Sequence, residues 1–194
     1  MARTKEFDPD AALRSALELF WRRGYEATSM TDLVEHLGVG RASIYATFGN
    51  KHELYLKALD RYQQARNPQL LRELSQPGPA LPAVRALVRR FATEATTEGR
   101  RLSGCFVTNT AAELAPHDTA AARRVEHNWD HLETLLHSAL IRAQAQGELP
   151  ADRNPLTLAR MLLVLMQGLR VVGKASADPA RVQDAAEQAL TLLD

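Results

Sequence analysis

Hydrophobic residues recur every three to four positions through most of the chain. Leu13, Ala16, Leu17 and Phe20 form one such series, and this spacing places side chains on one face of a helix. Similar series lie in the segments 30–37, 84–95, 125–140 and 182–193. No stretch shows the sustained alternation, bounded by tight turns, that is typical of a β-hairpin. The pattern therefore predicts an all-α protein of about nine helices.

The nine prolines divide the chain into these helical intervals. Because proline is tolerated in the first turn of a helix but breaks its interior, the prolines predict helix boundaries. The apolar pattern is interrupted over residues 65–82, which include Pro68, Pro77 and Pro79. We therefore expect a small head over 1–50, a connecting helix and linker over 51–78, and a larger body over 79–194. The connecting helix is predicted to end near residue 66.

The composition of the chain excludes several classes of protein. The chain has 24 basic and 23 acidic residues, is 45% hydrophobic and contains one cysteine, which excludes a disulfide framework and a multi-thiolate zinc finger. Its longest apolar run, from Met161 to Met166, is far shorter than the roughly 20 residues that span a bilayer. The N-terminus lacks the apolar segment of a signal peptide. We expect a cytoplasmic protein without a membrane partner.

Residues 28–48 have the features of two short helices joined by a tight turn. Thr28 and Ser29 are good N-cap residues for the first helix. Gly38 suits a left-handed turn, and Val39 can fill the angle between the two helices. This arrangement is a helix-turn-helix unit, although a pair of short helices is also common in ordinary packing.

The second helix of this unit has an outward face of short, polar or basic side chains. Ile44 and Phe48 lie four residues apart and can pack inward. In a DNA major groove, Arg41 can bind guanine, and Ala42 or Thr47 can contact a thymine methyl group. Ser29, Tyr45 and Lys51 suit phosphate oxygens, which fix register without reading sequence. The net charge of +1 excludes a protein that coats DNA electrostatically, but not one with a local reading surface.

The segment from Phe7 to Leu59 resembles the DNA-binding head of TetR (tetracycline-repressor-like) transcriptional regulators. The matching landmarks are Ala16, Leu19-Phe20, Gly24-Tyr25, Thr28-Ser29-Met30, Leu33, Leu37-Gly38-Val39, Ser43-Ile44-Tyr45, Phe48, Asn50-Lys51 and Leu54. The resemblance implies a three-helix head followed by a helix that transmits motion from a ligand domain. It places DNA contacts on Ser29, Thr31, Arg41, Ala42, Ser43, Tyr45, Thr47 and Lys51. Gly40 departs from the small polar cap or lysine of many relatives.

The segment 155–175 is apolar on more than one face, which indicates a helix covered on two sides. The second cover is either the chain's own core or another subunit. TetR-like proteins dimerise through their last two long helices, so the resemblance favours a homodimer. The predicted dimer contacts are Leu158, Met161, Leu162, Leu165, Leu169, Val172 and Leu190.

The body also contains candidates for a ligand cavity, in which apolar side chains are mixed with a few polar ones. These candidates are Phe91, Cys105, Phe106, Asn109, Trp129 and Met166, and the alternative is that the aromatic residues are simply core. Cys105 follows a helix-start signal and Arg100-Arg101, a setting that can lower a thiol pKa. The sequence around it resembles a TetR-like subgroup that includes thiol-reactive sensors. A lone cysteine is otherwise a small buried hydrophobe.

The sequence shows few features of a metal site, an enzyme or a cofactor-binding protein. His127 and His131 lie four residues apart, but without a third ligand they are interpreted as part of a solvated face, and no metal site is predicted. The chain has no glycine-rich phosphate loop and no nucleophile elbow, so neither an enzyme nor a cofactor is expected. A helical scaffold protein is the remaining alternative. We expect a ligand-responsive transcriptional regulator, most simply a repressor, whose partners are a pseudo-palindromic double-stranded DNA operator, a second copy of the chain and a small-molecule inducer.

Overall fold

The computed structural model describes residues 7–99, 103–176 and 178–194. These residues form nine α-helices and one short 3-10 turn, without a β-strand, so the all-α prediction is confirmed. The helices are α1 Pro9–Arg23, α2 Met30–Leu37, α3 Arg41–Phe48, α4 Lys51–Leu74, α5 Ala80–Thr96, α6 Phe106–Glu113, α7 Thr119–Ala145, α8 Pro155–Ala175 and α9 Ala180–Leu190.

Most of these helices begin where the sequence supplies a capping side chain. Asp8, Ser29, Asn50, Asp118 and Asn154 each accept a hydrogen bond from a backbone N–H in the first turn of the helix that follows. Such caps satisfy N–H groups that have no partner inside the helix. The short helices of the head are thereby defined locally, before any tertiary contact is considered.

Helix α4 is longer than the sequence predicts. It runs without interruption to Leu74 and contains Pro68 in its interior, so the expected end near residue 66 is wrong. Proline removes one hydrogen bond to the preceding turn but does not always end a helix. Here Leu74 is buried in the core of the body, and this tertiary contact favours continuation of the helix past the proline.

The described residues form two hydrophobic clusters that are joined by α4. One contains the head residues Phe20, Leu33 and Ile44 together with the first half of α4. The other contains the body residues from Leu74 onward, in α5, α7, α8 and α9. Helix α6 and the start of α7 belong to the head cluster, so the head packs directly on part of the body.

Candidate nucleic-acid interface and ligand cavity

The helix-turn-helix is built by reciprocal caps and one left-handed glycine. The Ser29 hydroxyl accepts the Asp32 N–H at 3.1 Å, and the Asp32 carboxylate accepts the Ser29 N–H at 2.8 Å. The hydrogen bonds from Ser29 hold the pKa of the Asp32 carboxyl below its usual value. Gly38 ends α2 with φ 63°, a conformation that glycine adopts without strain. Val39 is buried beside the turn.

Helix α3 is anchored on one side and open on the other. Ile44 and Phe48 are buried, whereas Tyr45 is 43% exposed. Arg41, Ala42, Ser43 and Ala46 are also exposed, and Thr47 is half-buried. Gly40 precedes the helix without a side-chain cap. The outward face is therefore short and polar enough to approach the floor of a major groove.

Three of the predicted DNA contacts, Ser29, Thr31 and Lys51, lie outside α3. Ser29 and Thr31 are exposed at the start of α2. Lys51 is half-buried, and its ammonium group lies 4.1 Å from the centre of the Tyr25 ring. This cation–π contact fixes the position of the lysine beside the first turn of α4.

A cavity of about 380 Å³ lies between the head and the body. Its lining comes from α1, α4, α5, α8 and the segment before α6, and includes Trp21, Arg66, Glu94, Ala95, Gly99, Ser103, Gly104 and Arg170. This volume falls within the range that small-molecule sites occupy in proteins. The Trp21 indole donates a hydrogen bond to the Gly104 carbonyl oxygen at 3.1 Å, so one wall of the cavity joins head and body.

A second cavity, of about 40 Å³, shares Arg66 and Arg170 with the first. The rest of its lining includes Tyr62, Gln63, Asn67, Arg90, Phe91, Cys105 and Gln167. We call the two together the arginine cavities, because guanidinium groups form their common wall.

The six predicted ligand residues are divided by the structure. Phe91 and Cys105 line the smaller cavity. The other four line neither arginine cavity. Phe106 is in the aromatic cluster with Tyr55 and Tyr62, and Asn109 forms hydrogen bonds with Ser103 and Lys174. Trp129 packs on the head cluster, and Met166 is in the body core. Sequence reasoning missed Trp21, Arg66 and Arg170, whose convergence depends on tertiary structure.

Cys105 lies at the N-cap position of α6 and is only 5% exposed. Burial raises the pKa of its thiol, but the Arg170 guanidinium and hydrogen bonds from Thr108 and Tyr62 outweigh that effect and lower the pKa to about 7. The Tyr62 hydroxyl lies 3.7 Å from the sulfur. Arg100 and Arg101, which the sequence analysis placed beside the thiol, lie outside the described residues.

Helix α8 has one buried face and one open apolar face. Leu162 and Leu169, like Leu190 of α9, are buried in the chain's own core. This is a correction, because side chains buried there are not available to a second subunit. Leu158, Met161 and Leu165 are half-buried and Val172 is exposed. Val164, at 71% exposure, and Val171 extend this open face, and sequence reasoning omitted both.

By length and composition alone, α8 is also apolar enough to cross a membrane, with about 28% of its most apolar window buried in the chain. The same composition is expected of a helix that packs on its own core and on another subunit. His127 and His131, for their part, belong to no group of three metal-ligating side chains within the described ranges.

Comparison with known families finds matches over most of the chain. The family model described as "Bacterial regulatory proteins, tetR family" matches residues 12–58. The model described as "Tetracyclin repressor-like, C-terminal domain" matches residues 80–189. The first match contains the helix-turn-helix, and the second contains helices α5 to α9 almost entirely.

Individual relatives agree with these matches. The chain is 36% identical to the uncharacterized HTH-type transcriptional regulator YezE of Bacillus subtilis (strain 168), over 100% of both chains. It is 34% identical to the HTH-type transcriptional repressor ComR of Escherichia coli (strain K12), over 98% of this chain and 90% of ComR. Among solved structures, a cysteine mutant of the TetR family regulator CifR, complexed with 26-base-pair operator DNA, superposes with a TM-score of 0.85 at 28% identity, over 100% of both chains.

Proposed function

Because the chain belongs to the TetR family of transcriptional regulators, we propose that it is a repressor released from its operator by a small molecule. In this proposal a homodimer binds a pseudo-palindromic operator, and the ligand occupies the larger arginine cavity. Members of this family are regulators and not enzymes, and the proposal needs no cofactor.

The exposed face of α3 is the observation that carries the proposal. Arg41, Ala42, Ser43 and Tyr45 face outward over a buried Ile44, so base contacts need no rearrangement of the head core. CifR, a relative over its full length, has been solved on operator DNA. By analogy, the α3 helix of this chain would enter a major groove, with Ser29, Thr31, Thr47 and Lys51 at its edges.

The open face of α8 supports the homodimer. Val164 and Val172 leave apolar surface on a helix that is already covered on its other side, and a second copy of the chain would bury it. Two heads related by a two-fold axis would then meet successive major grooves on one face of DNA. The same symmetry requires an operator with two similar half-sites.

The position of the larger cavity supports control by a ligand. Trp21 belongs to the head and Arg170 to the body, so an occupant would contact both. A ligand that prefers a different head position shifts the population of the protein away from the DNA-binding geometry. A coupling free energy of about 1–3 kcal/mol weakens operator binding roughly 5- to 150-fold.

The test uses the full-length protein and a pool of random duplex DNA. Repeated selection should enrich a sequence with two similar half-sites, bound about 10³-fold or more tightly than random duplex at physiological salt. Light scattering at micromolar concentration should give the mass of a dimer. A selection that enriches no duplex, or a monomeric mass, would overturn the proposal.

A further inference from the structure

We propose that the ligand of the arginine cavities is a small organic monocarboxylate, whose carboxylate binds the guanidinium groups of Arg170 and Arg66. These two side chains line both cavities. The inference names the chemical class of the ligand, and it rests on the function proposed above.

Arg170 is a buried cation with unused hydrogen-bonding capacity. Its side chain is 10% exposed, and its Nε atom is buried without a hydrogen-bond partner among the described residues. A buried donor without a partner costs free energy, and a bound acceptor would recover that cost. The guanidinium lies 4.1 Å from the centre of the Phe91 ring, which fixes its plane against the aromatic face.

Among the described side chains around the cavities, arginines outnumber carboxylates. Arg66, Arg90 and Arg170 face two carboxylates, those of Glu73 and Glu94. Arg90 binds both at 2.8 Å. Arg66 and Arg170 reach the same oxygen of Glu94 at the longer distances of 3.4 and 3.7 Å. These two arginines are therefore the weakly paired members of the group.

The remaining lining residues determine which chemical groups the ligand can carry beyond its carboxylate. Trp21 and Ala95 line the larger cavity, and the Arg66 guanidinium lies 5.9 Å from the centre of the Trp21 ring. A ligand that extends from the arginines would meet an aromatic ring and a small apolar side chain. The two weakly paired guanidinium groups favour an anion, and the planar fork of arginine binds carboxylates in a bidentate manner.

Cys105 provides an internal competitor for this site. Burial opposes ionisation of its thiol, but Arg170 and hydrogen bonds from Thr108 and Tyr62 favour the thiolate and lower the pKa to about 7. A carboxylate bound to Arg170 would neutralise the cation on which the thiolate depends. Occupation of the site should therefore raise the pKa of Cys105, and because Cys105 is the single cysteine, any thiolate signal comes from this residue.

The first experiment is calorimetric titration of the full-length protein with acetate, butyrate and benzoate, each compared with its neutral amide. At least one carboxylate should bind about tenfold or more tightly than its amide. Arg170→Gln should reduce that preference to less than about threefold. Arg89→Gln is the matched control, because Arg89 is exposed and pairs with Glu187 away from the cavities.

Arg170→Lys guards against a folding defect, since it keeps the charge but loses the bidentate fork; it should retain an intermediate preference. The inference is overturned if no carboxylate is preferred over its amide by the wild-type protein. It is also overturned if a folded Arg170→Gln protein keeps the full preference.

The second experiment measures the ultraviolet absorbance of the Cys105 thiolate against pH, with and without the preferred carboxylate. The carboxylate should shift the titration upward by about one pH unit, whereas its amide should leave it unchanged. An unshifted titration at saturating carboxylate would overturn binding at Arg170. Carboxylate binding that leaves operator affinity unaltered would retain the anion site and refute ligand release. Normal operator binding by a protein that shows no carboxylate preference would refute the anion site and leave the proposed DNA binding standing.

Discussion

The Glu113 carboxylate accepts a hydrogen bond from the backbone N–H of Tyr25 at 3.0 Å. Its second oxygen accepts the N–H of Glu26 at 2.9 Å. One side chain at the end of α6 thus holds the loop between α1 and α2 of the head, while the residues before α6 line the larger cavity. Helix α6 therefore links the cavity to the head by direct contacts at both of its ends.

Glu113→Gln should destabilise the protein by about 1–3 kcal/mol. The amide has one acceptor oxygen, so one of the two loop N–H groups would face an NH₂ group instead of a carboxylate oxygen. Urea unfolding measures the loss, and hydrogen exchange at Tyr25 and Glu26 should be faster. Glu126→Gln, at an exposed position on α7, is the control and should behave as wild type. Equal effects of the two substitutions would contradict a special role for Glu113.

Gly24→Ala should destabilise the protein more than Gly38→Ala. Both glycines have positive φ, 89° and 63°, but Gly38 lies in the left-handed helical region, whereas Gly24, with ψ 175°, lies in a region that is essentially restricted to glycine, so the backbone cost for alanine is larger at Gly24. A Cβ atom at Gly24 would also lie 2.9 Å from both Glu113 carboxylate oxygens, whereas none of the described atoms lies within 4 Å at Gly38. Calorimetric unfolding should therefore show an additional loss of about 1 kcal/mol for Gly24→Ala. In a Glu113→Ala background this additional loss should become smaller; an undiminished loss would show that the Glu113 carboxylate does not contribute to it.

Arg41→Ala and Tyr45→Phe should separate base reading from phosphate binding on α3. Loss of the Arg41 guanidinium should relax base preference at one operator position and cost about 1–3 kcal/mol. Loss of the Tyr45 hydroxyl should weaken binding to most sequences alike. Fluorescence anisotropy with single-base operator variants measures both effects. If both mutants bind like wild type, the assignment of α3 as the recognition helix is wrong.

The features that the sequence predicted correctly are those set by residues that lie close together in the chain. The cap at Ser29, the turn at Gly38 and the inward pair Ile44 and Phe48 all lie within one short segment. Their geometry follows from local hydrogen bonding and helical spacing. The continuation of α4 through Pro68 was missed because burial of Leu74, a tertiary contact, outweighs the local signal.

The cavity wall was missed for the same physical reason. Arg66 and Arg170 belong to α4 and α8, and each looks like an ordinary surface arginine in its own sequence context. Only the packing of these two helices with α5, whose Glu94 is the shared ion-pair partner of both arginines, brings the two charges together. Trp129 was predicted as a ligand residue from its aromatic type alone, and it lines neither arginine cavity.

Val164→Glu should dissociate the proposed dimer. The substitution would place a carboxylate in the apolar interface on α8, and an unpaired buried charge costs several kcal/mol. Light scattering across a range of concentrations should show a monomer where the wild type is dimeric. Leu71→Glu is the control, because Leu71 is also an exposed apolar residue but lies on α4, away from the open face of α8. A dimeric Val164→Glu protein would place the interface elsewhere.

Stability should depend on the ionisation of Cys105, with a sign fixed by its lowered pKa. The folded-state pKa is about 7, below the ordinary value of 9.0, because Arg170 and the hydrogen bonds from Thr108 and Tyr62 outweigh burial. The folded protein therefore releases this proton at lower pH than the unfolded chain. The resulting stabilisation is fully present above pH 9 and is lost as the pH falls through about 7.

Cys105→Ser removes this contribution and is the matched comparison. Under reducing conditions, the free energy of unfolding of the wild type minus that of Cys105→Ser should increase by about 2 kcal/mol between roughly pH 7 and 9. In an Arg170→Gln background the same difference should become nearly flat, because the cation that stabilises the thiolate is gone. A difference that stays constant across this range in the wild-type background would show that Cys105 remains protonated, and the buried thiol would then act only as a small apolar side chain.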